Sequence, residues 1–241
     1  MGKTASDYLD EKNFYASLMY EADYNEHHNL SAGVSLNHDY FKNHYRLENS
    51  LSYPVLTQRD KETIPGAYMQ YTYKLGEKLT LMGGLRIDHS DIYGTFWTPR
   101  AHVKWSPNDI FSLRASVGKG YRTPHVLAEN NFLLASGRQV LTDDNIEQEE
   151  AWNYGVSTQF SIPLFEKTLS FNAEYYYTDF LHQLLVDLDS NPHVVHFTNL
   201  QGSSYSHTWQ LEATYPLIEG LTVTATYRRN TVKSTYGGRL L

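Results

Sequence analysis

Histidines beside acids are the first residues in this chain that could do bond chemistry. It holds 11 histidines and 27 acidic residues. Asp88-His89, His38-Asp39 and His182 supply the parts of a hydrolase site, a general base with a carboxylate to orient it. In a chain this rich in both types such neighbours also arise by chance, and Asp88-His89 reads as simply as a strand end. Asp187, Asp189 and Asn191 have the spacing that opens a calcium loop. The sixth position is Pro192 where that loop turns on glycine, and the twelfth is Thr198 where it closes on glutamate. Gly118-Lys119-Gly120 has the composition of a phosphate loop without the full spacing or a following helix. Small residues at a crowded rim account for it equally. No cofactor, no metal and no catalytic residue is expected. Cysteine is absent, which removes thiolate zinc sites, disulfides and thiol nucleophiles.

The stretch 122–148 is the best candidate for ligand contact. It is bounded by Tyr121-Arg122 and by Asp143-Asp144. Tyr121, Arg122, Asn130, Asn131 and Arg138 could meet a polar or anionic ligand. The alternative is a loop that packs on itself or on its neighbours.

The elements that would position these residues are strands. Period-2 alternation recurs along most of the chain, and helical periodicity is nearly absent. Leu79, Leu81, Gly83, Leu85 and Ile87 share one face, opposite Thr80, Met82, Gly84, Arg86 and Asp88. Phe111, Leu113, Ala115 and Val117 oppose Ser112, Arg114, Ser116 and Gly118. The rule yields about ten strands, at 13–24, 29–45, 63–75, 78–90, 95–105, 110–121, 149–162, 167–187, 194–215 and 220–233. Most exceed the five or six residues usual in globular proteins and reach the ~9–11 that a membrane strand needs.

Connections alternate between tight turns, such as Gly76-Glu77 and Ser106-Pro107-Asn108-Asp109, and mostly longer loops, at 46–62, Ser90–Gly94, 122–148 and 188–193. Short turns at one end and longer loops at the other are the pattern of bacterial transmembrane barrels, with the short turns periplasmic. The polar faces carry Arg86, Arg114, Glu174 and Glu212, charges that a dry core would not tolerate unpaired. A lumen filled by water or by a plug would. The 20 tyrosines, with a mean hydropathy of -0.52, suit a broad water–lipid boundary. No apolar run approaches the ~20 residues of a membrane helix. The net charge of -7 argues against nucleic acid as a partner. Met1–Asp10 lacks the apolar core of a signal peptide, so an outer-membrane protein would carry its export signal upstream. The expected fold is all-β: an antiparallel up-and-down transmembrane β-barrel segment, about ten strands of a larger barrel.

Several segments resemble the C-terminal barrel of TonB-dependent outer-membrane receptors, particularly those of Bacteroidetes. Gly94-Thr-Phe-Trp-Thr-Pro99-Arg100 precedes His102-Val-Lys104 and the Ser106-Pro107-Asn108 turn. Leu113-Arg114-Ala115-Ser116 runs into Gly118-Lys119-Gly120-Tyr121-Arg122-Thr123-Pro124, which resembles a family signature leading from a strand into a long surface loop. Glu149-Glu150-Ala151-Trp152-Asn153-Tyr154-Gly155 resembles the re-entry that follows it. Phe197 through Glu212, and Tyr227-Arg228 through Gly238, complete the series. The resemblance implies a partial barrel domain over 1–241, with the plug domain and the remaining strands absent. It implies energised uptake of a scarce nutrient, most commonly a ferric siderophore. The partners it implies are the TonB complex acting through an N-terminal part, outer-membrane lipid, a small-molecule ligand and a surface lipoprotein. In that setting Arg86, Arg114, Glu174 and Glu212 face the plug or lumen water. A self-contained ten-stranded barrel enzyme of the omptin protease kind and a passive porin are the competing readings.

Overall fold

The computed structural model describes residues 5–47, 56–236 and 239–240. Ten long strands follow the chain: β1 (Ala5–Asn25), β2 (His28–Leu47), β3 (Leu56–Leu75), β4 (Leu79–Ser90), β5 (Gly94–Trp105), β6 (Phe111–Arg122), β8 (Glu149–Leu164), β9 (Lys167–His182), β12 (Ser204–Ile218) and β13 (Leu221–Tyr236). The short β14 (Arg239–Leu240) completes one eleven-stranded sheet in which each strand pairs antiparallel with its neighbours in sequence order. Short β7 (Gln139–Thr142), β10 (Leu184–Asp187) and β11 (Val194–Asn199) form a second sheet, in which β11 pairs parallel to β7. A helical turn, α1 (Val126–Glu129), and a 3-10 helix (Asn131–Ser136) precede β7.

The expected all-β, up-and-down architecture is present. Two of the expected strands are broken. The run 167–187 leaves the main sheet after His182, and 194–215 is divided by a turn in which Gly202 takes φ 126. Alternation runs on through both breaks because the small sheet also buries every second residue, Val195 and Phe197. Period alone does not say which sheet a strand joins. The expected loop 46–62 shrinks, since β2 continues to Leu47 and β3 begins at Leu56; residues 48–55 lie outside the described residues.

Tight turns at one end have local causes. The Asn25 carboxamide oxygen accepts from the backbone N–H groups of His27 and His28, at 2.8 and 3.1 Å. Asn108 accepts from Ile110 and Phe111 in the same way. Side-chain acceptors of this kind close a turn where the ladder has run out.

The sheet is packed inside out. Along β4, Leu81, Leu85 and Ile87 are exposed, while Asp88 and Ser90 on the other face are buried. In water such an arrangement would be unstable; in lipid it is the required one, because exposed leucines then face hydrocarbon. Aromatic rings bound the apolar band on this outward face. Trp105, Phe111, Phe160 and Phe171 interlock near the short turns, with centroids 5.1 to 6.5 Å apart. Tyr154, Tyr177, Tyr205 and His207 do so near the long loops. Amphipathic rings settle where lipid meets water. The buried apolar cluster, Val126, Leu133, Val195 and Phe197, lies beyond that boundary, where the small sheet packs on the α1 segment. No described helix is long and apolar enough to cross a membrane, which says nothing of a β-barrel.

Candidate functional site: the concave face and its extracellular rim

Alternation directs one polar residue in two from each strand onto the concave face, and those charges are organised. The Arg86 guanidinium bonds the Asp88 carboxylate through Nε at 2.7 Å and Nη2 at 2.5 Å, and Nη2 also donates to Ser35 on β2 at 2.8 Å. Asp88 is 4 % exposed, so its charge depends on this partner. Higher on the same face, buried Ser90 donates to buried Glu62 at 2.5 Å. Thr123 reaches Glu62 at 3.4 Å and accepts from Gln148 at 3.4 Å. This chain of polar groups ties the root of the 123–148 segment to the wall.

Arg86 thus lies on the concave face. Arg114 shares that face with Lys104, directly opposite on β5, in a recess of about 830 Å³ near the short turns. Glu174 and Glu212 face the same way, and Glu212 accepts from Thr226 at 3.4 Å. A second recess of about 630 Å³ lies further up, lined by Tyr68, Gln70, Arg86, Phe96, Arg100 and Tyr121 among others.

The five loop candidates do not converge on one point. Arg122 sits at the rim with its Nε on Glu149 at 2.6 Å and its Nη2 on Glu129 at 2.9 Å, its side chain still 58 % exposed. Tyr121 packs on Phe96 with centroids 4.9 Å apart. Asn130 donates to the Val126 carbonyl at 2.9 Å and ends α1. Arg138 donates to the Leu188 carbonyl at 3.2 Å, joining the loop to the small sheet. Asn131 opens the 3-10 helix; its side chain lies outside the described residues. Asp143 and His196 bond across the small sheet at 2.8 Å. Hydrogen bonds from Thr198 and then His196 hold the Asp143 carboxyl below the usual aspartate range.

Glu62, Ser90 and Gln148 escaped the sequence reading, as did the ion pair of Lys119 and Glu150 at the upper end of β6 and β8. Glu62 lay in a stretch taken for loop, and Lys119 in one taken for small residues. Lys119 also lies over the rings of Trp97 and Tyr121, 5.3 and 4.8 Å from their centroids. A strand end with a charge beside aromatics was the available signal.

The hydrolase candidates are separated by the pleat. Asp88 faces Arg86, whereas His89 points to the opposite face and bonds Thr95 at 2.8 Å. His38 bonds Thr63 at 2.9 Å, while Asp39 on the other face accepts from Asn37 at 2.6 Å. His182 approaches Glu147 and Glu150 at 3.5 and 3.9 Å. The calcium-like stretch is a turn: one Asp187 oxygen accepts from the N–H groups of Asp189 and Ser190, each at 3.0 Å.

The comparisons with known proteins agree with this geometry. The family model described as TonB dependent receptor-like, beta-barrel matches residues 2–241. The iron-regulated outer membrane virulence protein of Vibrio cholerae is 23% identical over 137 residues, 56% of this chain and 20% of that protein. The ferrienterobactin receptor of Escherichia coli is 23% identical over 111 residues, 42% of this chain and 15% of that protein. The FrpB iron transporter of Neisseria meningitidis, in its apoprotein form, superposes with a TM-score of 0.67 at 19% identity, over 98% of this chain and 39% of that one. The matched regions thus span a minor part of each relative. The chain belongs to the TonB-dependent receptor-like β-barrel family and forms a stretch of barrel wall in the outer membrane.

Proposed function

We propose that this chain is part of a TonB-dependent receptor that takes up a scarce nutrient, a ferric siderophore. The plug domain and the other strands of the closed barrel belong to the rest of that receptor. The carrying observation is the inside-out sheet: a charged, hydrogen-bonded concave face under a folded extracellular loop. A passive pore has no need of a concave network tied to such a loop. The iron-related names of the V. cholerae and E. coli relatives favour iron as cargo. The wall performs no bond chemistry. It holds the loops, faces the plug with Arg86, Arg114, Glu174 and Glu212, and leaves energy transfer to TonB contacts elsewhere in the receptor. Tyr121, Arg122, Asn130, Asn131 and Arg138 form the rim that meets the cargo, with Arg122 the most available to an anionic group.

The test is iron uptake from ferric siderophores by a receptor-deficient Gram-negative host expressing the whole receptor, with and without TonB. Uptake that requires both receptor and TonB is the expected result. Uptake that persists without TonB would make the protein a pore and overturn the reading. In the same assay Arg122→Gln raises the half-saturating siderophore concentration roughly tenfold, the value of one charge-assisted hydrogen bond. An unchanged value would remove Arg122 from the ligand rim.

A further inference from the structure

The wall is split near its upper rim, in the middle of the sheet. β4 and β5 pair up to Ser90 and Gly94, and β6 and β8 up to Arg122 and Glu149. Between them, β5 and β6 pair only from Trp105 with Leu113 to Arg100 with Gly118. Residues 94–99 and 119–122 therefore run on as two facing edges with no ladder joining them. Both strands and the neighbour of each belong to this chain, so the break does not arise from the open sides of the wall.

The break has a cause in the sequence. The next pair of the ladder would join Pro99 to Lys119. The Pro99 carbonyl lies on the β6 side, 3.7 Å from the place of a Cβ on Gly118. The nitrogen and carbonyl of one strand residue point the same way, so Pro99 turns a nitrogen without hydrogen towards β6. Proline within a sheet belongs to an edge, and here it makes one. Unpaired backbone at membrane depth is tolerated only where it lines a water-filled cavity. The recess of about 630 Å³ meets that need: Phe96, Thr98 and Arg100 line it from β5, and Lys119, Gly120 and Tyr121 from β6.

Through this break the two faces of the wall touch. Phe96, opposite Asp88, faces the lumen, whereas Lys119 and Tyr121 continue the outward face that Phe111 begins. The rings of Phe96 and Tyr121 nevertheless meet, with centroids 4.9 Å apart. On the outward side Lys119 bonds Glu150 and lies over the exposed Trp97, 5.3 Å from its ring centroid. Lys119 is paired with Trp152, which stacks on Tyr154 of the upper aromatic band at 6.2 Å. The break therefore opens where hydrocarbon meets the outer polar layer. Its outward end is aromatic. Its lumen end carries Arg100, whose guanidinium donates to the neutral Gln70 at 2.7 Å and has the fork that suits a carboxylate or phosphate.

We propose that the split between β5 and β6 is a side portal that binds an anionic amphiphile. The head group sits on Arg100 in the lumen, and the alkyl chain passes between Phe96, Trp97 and Tyr121 into the outer leaflet. Contact between the Phe96 and Tyr121 rings closes the portal when it is empty. A lipid of the membrane itself would keep its head at the outer surface, whereas this ligand holds its head inside. The inference rests on the outer-membrane placement of the wall and not on the uptake reading. TonB-dependent iron uptake, measured separately, therefore distinguishes the failure of one from that of the other.

The test photolabels the whole receptor in phospholipid nanodiscs with two dodecanoates, one carrying a diazirine beside the carboxylate and one at the chain end. Mass spectrometry identifies the labelled residues. The head probe is expected to mark Thr98 and Gly120 on the concave face, and the chain-end probe Trp97 and Tyr121. Excess dodecanoate should displace both, and dodecanol should not. A Cβ on Gly120 would meet nothing within 4 Å, so Gly120→Trp fills the lumen end of the split. Pro99→Val restores the missing donor and lets the ladder close. Each variant should lose head-probe labelling severalfold while keeping its heat-modifiable mobility on gels. Undiminished labelling in both folded variants overturns the proposal. So does a wild type left unlabelled at Thr98 and Gly120, or labelled evenly along the outward face as far as Trp105 and Phe111, which is ordinary lipid contact. Equal displacement by dodecanol overturns it as well, and these wild-type results stand even where a variant folds poorly.

Discussion

Single residues on the concave face are held by neighbours too close to admit change. Gly66 on β3 lies against the Arg86–Asp88 pair: a Cβ there would fall within the Asp88 carboxylate and 2.7 Å from Arg86 Nη2. Gly66→Ala is therefore expected to displace an ion pair whose acid is buried. The cost is about 1–3 kcal/mol, as for other overpacked sites. Thermal unfolding of the receptor in detergent measures it, and an unchanged transition would mean that the pair moves freely. Asp143 acts in the opposite environment, an exposed loop. Its carboxyl is held below the ordinary value by Thr198 and His196. The tie is thus complete above the ordinary aspartate pKa of ~3.9 and fades as pH falls through the lower folded-state value. Protease cleavage of the 123–148 loop on intact cells should rise only in that acidic range. Asp143→Asn should flatten the profile, and a step of the same size in that variant would assign it to another group.

At the scale of elements, the small sheet and the wall are separate packing problems. Val195 and Phe197 are the most buried apolar residues described, at 0% and 1% exposure, and they belong to the loops. Phe197→Ala removes a ring from that cluster, a local loss of about 3–5 kcal/mol. The loop should become cleavable at Arg138 while the barrel keeps its heat-modifiable mobility on gels. Loss of both together would show that wall and loop fold as one unit. The broken strands belong to this scale as well: β9 and β12 leave the main sheet, and β10 and β11 continue their alternation in a sheet of their own.

For the whole molecule the decisive fact is the open wall. Among the described residues β1 does not pair with β13 or β14, and lipid satisfies no free backbone donor or acceptor. Residues 1–241 expressed alone are expected to aggregate or to associate through those edges, without yielding a compact heat-modifiable monomer. Gel mobility after refolding in detergent decides it. A stable monomer would mean that the edges close on each other, as a self-contained barrel requires.

The sequence by itself determined the alternation, its two faces and the end at which the turns are tight, but not that 167–187 and 194–215 each divide between two sheets. A residue in a bilayer wall is sorted by its immediate alternation, and Asn25 and Asn108 close their turns with their own side chains. That Arg86, Arg114, Glu174 and Glu212 belong to the polar faces of their strands was legible for the same reason. Only the tertiary structure decided who meets whom. Arg86 meets Asp88 two residues away but Ser35 across two strands, and Glu62 meets Ser90 on the adjacent strand and Thr123 at the root of the long loop, contacts set by strand register and by the path of the loop. Arg122, read as a candidate ligand contact, is drawn onto Glu149 and Glu129 by the fold of the loop. The level of any residue against the membrane depends on strand tilt summed over the whole sheet. That quantity belongs to no single strand and so cannot be written in any one segment of sequence.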